Sequence, residues 1–249
     1  MKRIRKAVIE PMELATYRNR FHAAPRPPGW SGFKKDPDRR NAVKVALRND
    51  QRGLCACCER QLVVGEESVE HFHAVANSPD RGLDWRNLLL VCKGDESVAA
   101  VPSSDLHGQP RHTTTCGLAK GCRLIEINPL EIPAFPRLFR IESETGQIQP
   151  DYPNCSLAGV DGRLVADTLG VLQLNSGRLR RARKAVADEL LVWLELDNAG
   201  DLAVGEREFE LASQQFSASD ERWPQFFTTI RFALGEGAER YLRQIDFVG

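Results

Sequence analysis

Four cysteines within residues 54–120 have the spacing of a metal site. Cys55 and Cys58 are two residues apart, so one tight turn can present both thiolates to a single Zn²⁺. Cys92 and Cys116 would complete a closed tetrahedral set. Alternative ligands are two cysteines and two histidines of the same region: Cys57, Cys122, His107 and His112. The sequence therefore predicts a structural zinc site.

A Glu-His pair, Glu70 and His71, lies between the two halves of this cysteine set. A carboxylate can hold Mg²⁺ or Mn²⁺, and an imidazole titrates near neutrality and can take a proton from an attacking water. Asn87 can hydrogen-bond to the backbone or to the imidazole and so fix the ring. This combination predicts metal-assisted hydrolysis of a phosphodiester.

The net charge of zero conceals a gradient along the 249 residues. Residues 1–50 hold 13 Lys/Arg and 5 Asp/Glu, a net of +8, whereas residues 185–249 hold 5 and 13, a net of −8. This predicts a polyanion near the first half, contacted by Arg39, Arg40 and Lys44 of a helix that begins at Asp36-Pro37. The acidic region would face away from that polyanion and dock a partner, through any exposed member of Trp193, Trp223, Phe226 and Phe227.

Composition excludes other classes of protein. No apolar run approaches the roughly 18–20 residues of a membrane span, and no apolar segment follows the basic N-terminus as in a secretory signal. The cysteine count is odd, at seven, so reduced thiols that bind metal fit better than disulfides. We therefore expect a cytoplasmic protein.

The expected fold class is α+β, in three parts. Residues 1–53 form a basic arm, extended as far as residue 33, and the helix that begins at Asp36-Pro37. Residues 54–150 form the zinc-stabilised core, with a β-hairpin over residues 54–69 turning at Gly65 and short strands in 124–150. Residues 151–249 are α-helical, because apolar residues recur at helical spacing in 161–198, 202–216 and 223–245, where Pro224 suits a first helical turn.

Several segments together resemble the HNH (ββα-metal) endonucleases, and within them the PtuB-type nuclease subunits of Septu and retron-associated anti-phage systems. The segments are Cys55-Ala-Cys-Cys58-Glu59, Val69-Glu-His-Phe72, Leu83-Asp-Trp-Arg-Asn-Leu-Leu89, Cys92 and Thr115-Cys-Gly-Leu-Ala-Lys-Gly121. Weaker matches extend the resemblance over most of the chain. It implies a central ββα-metal module that cuts DNA under the control of an ABC- or SMC-like (PtuA-like) ATPase partner.

The resemblance also implies a role for each site residue. His71 would be the general base, Glu70 a metal ligand, Asn87 the orienting residue and Lys120 a basic residue facing phosphate. The chain departs from the pattern at Gly117, where such enzymes usually carry another metal ligand. The remaining ligand would then be water or one of three side chains: His73, His112 or Asn128. Two alternatives stay open, namely a zinc-stabilised nucleic-acid-binding module without catalysis and an RNA-directed nuclease.

Overall fold

The computed structural model describes residues 1–20, 28–94, 114–196, 205–217 and 221–249. The helices are α1 Met12–Arg20, α2 Trp30–Phe33, α3 Pro37–Asp50, α4 Cys116–Lys120, α5 Tyr152–Leu157, α6 Gly162–Val171, α7 Gly177–Leu196, α8 Glu206–Gln215, α9 Phe227–Ala233 and α10 Gly235–Gln244. The strands are β1 Glu67–His71, β2 Leu88–Cys92, β3 Phe139–Glu142 and β4 Gln147–Pro150. The predicted α+β class is confirmed.

The N-terminal part contains more helix than the sequence predicted. Residues 12–20 and 30–33 form α1 and α2, so the expectation of an extended arm as far as residue 33 is wrong there. Tertiary packing explains the difference, because α1 is anchored by Leu14, which is fully buried. The predicted start of α3 is confirmed, since the Asp36 carboxylate accepts hydrogen bonds from the backbone of Asp38 and Arg39.

The site rests on strands β1 and β2 and on helix α4. The strands pair antiparallel, with Glu70 opposite Leu89 and His71 opposite Leu88, and α4 packs against β2. The predicted hairpin over residues 54–69 is wrong, because that stretch holds only the isolated bridge Leu54–Gln61. Strand β1 pairs instead with β2, whose residues are all buried. The ββα order of the central module is thus present.

Residues 151–249 are largely helical where they are described, and short strands precede them, as predicted. Strands β3 and β4 form an antiparallel hairpin, against which α6, α7 and α9 pack. Helix α9 begins at Phe227, so the expectation that Pro224 lies in its first turn is wrong. No helix in the described ranges combines the length and the apolar character needed to cross a membrane.

Two hydrophobic cores lie under these elements. The larger one contains residues between Met1 and Leu179 together with Phe226, and it includes the cysteine cluster. The smaller one joins Leu54 and the end of α7 to helices α8–α10. Trp223, Phe226 and Phe227 are buried in them, whereas Trp193 on α7 is 59% exposed. The division at residues 53 and 150 stays a prediction.

Candidate active site and metal centre

The four predicted zinc ligands come together from three elements. Cys55 and Cys58 lie in the turn closed by the Leu54–Gln61 bridge, Cys92 ends β2 and Cys116 begins α4. All four are buried, and their Sγ atoms lie within 4.8 Å of one another. Three of the Sγ–Sγ distances are 3.7–3.8 Å, close to the ~3.8 Å between sulfurs that are each 2.3 Å from a tetrahedral zinc. The residues therefore fit a structural Zn²⁺.

Two further contacts support thiolate charge at this cluster. The backbone N–H of Cys92 donates to Cys55 Sγ over 3.4 Å, and the Arg60 guanidinium lies 3.4 Å from Cys92 Sγ. Such donors orient ligands and stabilise their ionised form. Of the alternative ligands, Cys57 is buried but outside the set, Cys122 is exposed, and His107 and His112 lie outside the described residues.

His71 occupies the last position of β1 and is buried. Its Nε2 lies 3.0 Å from the carbonyl oxygen of Gly82, and because a carbonyl oxygen only accepts, Nε2 carries the proton and donates. In the neutral ring the lone pair is therefore on Nδ1. The Trp30 ring meets the imidazole edge-on, with centroids 5.2 Å apart. Burial lowers the pKa of His71 below its ordinary value, and the charges of Lys120 and Lys34 lower it further.

Glu70 is paired with Lys120. Lys120 Nζ lies 3.0 Å from Glu70 Oε1 and also donates to the backbone oxygens of His71, at 2.8 Å, and Gly121, at 3.4 Å. The Lys120 side chain is 1% exposed, so the ammonium points inward to these three acceptors rather than to solvent. Burial raises the pKa of Glu70, and the ion pair with Lys120 opposes that rise.

Gly117 faces the Glu70 carboxylate. A Cβ atom at Gly117 would lie 2.7 Å from Glu70 Oε2 and 3.1 Å from Val91 Cγ2, closer than normal contact distances. Position 117 is where the resemblance predicts a further metal ligand. It has no room for a side chain while Glu70 keeps this conformation.

Asn87 braces the loop beside the imidazole. Its Oδ1 accepts from the His73 backbone N–H at 2.7 Å, and its Nδ2 donates to the carbonyl oxygens of His73 and Arg81, each at 3.0 Å. Asn87 was predicted to hydrogen-bond either to the backbone or to the imidazole, and these bonds are to the backbone. Because Arg81 precedes Gly82, they also hold the segment whose carbonyl fixes the His71 ring.

Two of the candidates for the remaining metal ligand, His73 and Asn128, lie in the described residues. His73 is two residues beyond His71 and half-buried, and its ring packs against Phe72. Asn128 uses its amide within its own turn, bonding to Leu130 and Glu131. Within the described ranges, the cysteine cluster is the one group of three or more Cys, His, Asp or Glu side chains placed to share a metal.

The three predicted nucleic-acid contacts differ in their surroundings. Lys44 Nζ donates to the backbone oxygen of Glu67 at 2.9 Å and so fastens α3 to β1. Arg39 pairs with Asp36 at 3.2 Å. Arg40 is exposed. Of the three, Arg40 thus has the surroundings of a substrate contact.

Sequence reasoning missed three residues that act on His71: Trp30 and Gly82 contact it, and Lys34 acts through its charge. Trp30 is 41 positions before His71 and Gly82 is 11 positions after it, and Gly82 acts through its backbone oxygen. No local spacing marks such contacts. Trp30 gave a weak signal of a packing role, because it is a large apolar residue directly after Pro27-Pro28-Gly29, where a loop is expected.

The comparison with curated proteins agrees with the site. The chain is 33% identical over 165 residues to a protein of Escherichia coli described as "Retron Ec83 putative HNH endonuclease". The alignment covers 57% of this chain and 63% of that relative, so less than two thirds of the relative is matched. No family model matches the chain. The predicted resemblance to HNH endonucleases is therefore confirmed by a curated relative, and the four-cysteine cluster fits the zinc-stabilised module of that family.

Proposed function

We propose that the protein is an HNH endonuclease that hydrolyses phosphodiester bonds in DNA with the help of a divalent metal. The observation that carries the proposal is the His71–Gly82 hydrogen bond beside Glu70. This bond supports a neutral imidazole with its lone pair on Nδ1. The neighbouring residue, Glu70, has its carboxylate positioned by Lys120 and Gly117. The name of the curated relative supports the same activity.

His71 would act as the general base. Its lowered pKa keeps the ring neutral near pH 7, so Nδ1 can accept a proton from the attacking water. The Gly82 carbonyl accepts from Nε2–H, which stabilises the imidazolium formed by that transfer. Asn87 would contribute by holding the loop that carries Gly82.

Glu70 would hold the catalytic Mg²⁺ or Mn²⁺. Mg²⁺ usually keeps several waters and takes one or two carboxylates, so a single carboxylate with solvent and substrate oxygens fits it. When bound, such an ion polarises the phosphoryl oxygens and stabilises the leaving oxygen. Lys120 would position Glu70 by holding Oε1. Its inward-facing ammonium supports this positioning role more than the phosphate contact expected from the resemblance.

DNA would approach over the basic first part of the chain. The net charge of +8 in residues 1–50 favours a polyanion, and the exposed Arg40 of α3 would contribute to its binding. The acidic C-terminal part, with a net charge of −8 in residues 185–249, would face away from the DNA.

A partner ATPase and a role in anti-phage defence in the cytoplasm belong to the same proposal. The word "Retron" in the relative's name supports the defence context, and buried thiols without disulfides suit a reducing compartment. Trp193 is 59% exposed on α7, beside Val192 at 52% and Leu191 at 45%. Exposed apolar groups of this kind mark protein contact sites, so we place the ATPase contact there.

The partner contact can be tested by co-expression and co-purification with an ABC- or SMC-like ATPase, if one is encoded beside the gene. Trp193→Ser should weaken capture of the ATPase at least tenfold. Leu157→Ser is the matched control, because Leu157 is 79% exposed and belongs to a different helix, α5. Equal capture by both variants would move the contact elsewhere.

The nuclease itself is tested by incubating the purified protein with plasmid DNA and Mg²⁺ or Mn²⁺. We expect nicking or linearisation that requires the divalent ion and His71. Metal-independent binding without cleavage would instead favour a zinc-stabilised nucleic-acid-binding module. The observation in favour of that second candidate is that no other metal-ligating group completes a cluster at Glu70 among the described residues. Cleavage of RNA but not DNA would favour an RNA-directed nuclease.

A further inference from the structure

A surface pocket of about 220 Å³ lies beside α1 and the start of α3. It is lined by Met12, Glu13, Thr16, Tyr17, Arg20 and Arg39. The Arg39 guanidinium carbon stands 5.2 Å from the centre of the Tyr17 ring. The pocket thus combines apolar and aromatic surface with two guanidinium groups and one carboxylate.

Stacked and edge-on aromatic rings connect this pocket to the candidate active site. Tyr17 contacts Phe33, Phe33 contacts Trp30, and Trp30 contacts His71, with ring centroids 5.3, 5.3 and 5.2 Å apart. The rings of Tyr17 and His71 are therefore separated by at most about 16 Å. At the ~3.4 Å rise per nucleotide of a DNA strand, this distance corresponds to about five nucleotides.

We propose that this pocket binds one unpaired nucleobase of the substrate strand, within about five nucleotides of the bond that is cut. The inference rests on the proposed nuclease function. The apolar and aromatic walls match the face of a base, as in proteins that bind single strands. The positive charges of Arg20 and Arg39 favour the flanking phosphates electrostatically, while the direct ion pair of Arg39 is with Asp36. A base enters such a pocket only when it leaves the helical stack, so the preferred substrate is a single strand or a duplex with an unpaired nucleotide near the cut.

Glu13 gives the pocket a preference among bases. Its carboxylate only accepts hydrogen bonds. The amino groups of cytosine N4 and adenine N6 donate to such a carboxylate. The N3–H donor of thymine is flanked by two carbonyl oxygens that repel the carboxylate, so cytosine and adenine are favoured over thymine in this pocket.

The test compares two substitutions at exposed positions of helix α1. Thr16→Phe fills the pocket, and Asn19→Phe adds the same ring to α1 at a position that does not line it; both residues are exposed, so folding should be retained. Affinity is measured with fluorescent oligo-dC and oligo-dT in a His71→Ala background, where the probe is not cut. Cleavage of the same oligonucleotides is measured with His71 restored.

Thr16→Phe should weaken oligo-dC binding about 5- to 150-fold, the range for loss of one stacked base, while Asn19→Phe should leave it unchanged. The unsubstituted pocket should bind oligo-dC more tightly than oligo-dT, and Glu13→Gln should reduce that difference. Met12→Ser, which removes one wall without filling the space, should weaken binding in the same direction.

Two failures are distinguishable. If the protein cleaves DNA but Thr16→Phe and Met12→Ser bind oligo-dC as tightly as the Asn19→Phe control, the pocket assignment is overturned and the nuclease stands. If the unsubstituted protein neither binds nor cleaves any DNA, the proposed function is overturned, and the pocket assignment with it.

Discussion

Replacing Gly117 with alanine tests how Glu70 is positioned. The added Cβ would lie 2.7 Å from Glu70 Oε2, whereas ordinary van der Waals contacts begin at 3.4 Å. The carboxylate oxygen must therefore retreat by about 0.7 Å, and its partner Lys120 restricts the directions open to it. Val91 Cγ2, at 3.1 Å, must also give by a few tenths of an ångström.

The expected effect is large on activity and small on stability. A misplacement of ~1 Å in an active site can lower a rate by ~10²-fold, so we expect a loss of about 10- to 100-fold in kcat. An alanine in a helix gains ~0.5–1 kcal/mol over glycine, which offsets part of the ~1–3 kcal/mol cost of overpacking. The free energy of unfolding should therefore change by no more than about 2 kcal/mol.

The assay is single-turnover cleavage of a labelled duplex across a Mg²⁺ titration, with thermal unfolding measured in parallel. Gly170→Ala is the matched control, because Gly170 is also helical and a Cβ there meets nothing within 4 Å. That control should keep full activity and be slightly more stable. Full activity and an unchanged Mg²⁺ midpoint in Gly117→Ala would refute the assignment of Glu70 as the metal-holding group.

Three further predictions concern the zinc, the base and the DNA face. Cys55→Ser should lower the zinc content from about one ion per chain and reduce the free energy of unfolding, since binding of a structural zinc is folding free energy; unchanged zinc by elemental analysis would contradict the cluster. Because burial lowers the pKa of His71 below 6.5, the neutral base persists below pH 6.5, and the acid limb of kcat/KM should have its midpoint there. Lys34→Gln removes a charge that lowers this pKa, so it should move the midpoint toward higher pH, and a midpoint above 6.5 in the unsubstituted protein would contradict the assignment. Arg40→Gln should reduce the slope of log Kobs against log salt concentration for DNA binding by about 0.9, the amount for one phosphate contact. Lys44→Gln should mainly lower thermal stability, because Lys44 binds the backbone oxygen of Glu67. A larger change in slope for Lys44→Gln than for Arg40→Gln would show that Lys44, and not Arg40, contacts the DNA.

Features with a local chemical signature could be predicted from the sequence. Asp36-Pro37 was identified as a helix start because a capping carboxylate and an N1 proline act within one turn. The zinc set was predicted because two thiolates two residues apart can bind one zinc ion and two further cysteines complete a tetrahedral site. The ββα order of the central module was implied by the resemblance to HNH endonucleases and not by local spacing.

Features that depend on long-range packing could not be predicted. Strand β1 pairs with β2 across the intervening loop rather than with the residues just before it, because β2 is the fully buried apolar segment. Lys120 turns inward because Glu70 and two carbonyl oxygens converge on it from different elements. The Gly82 partner of His71 is a backbone atom, which any residue would supply, so residue identity carries no signal for it.

The most direct test of the central claim is cleavage of supercoiled plasmid by the purified protein with and without Mg²⁺ or Mn²⁺, compared with His71→Ala. The account predicts divalent-metal-dependent cleavage that falls by about 10²–10⁴-fold in His71→Ala, the usual contribution of a general base, with DNA binding and folding retained. Cleavage at the full rate by His71→Ala would contradict it.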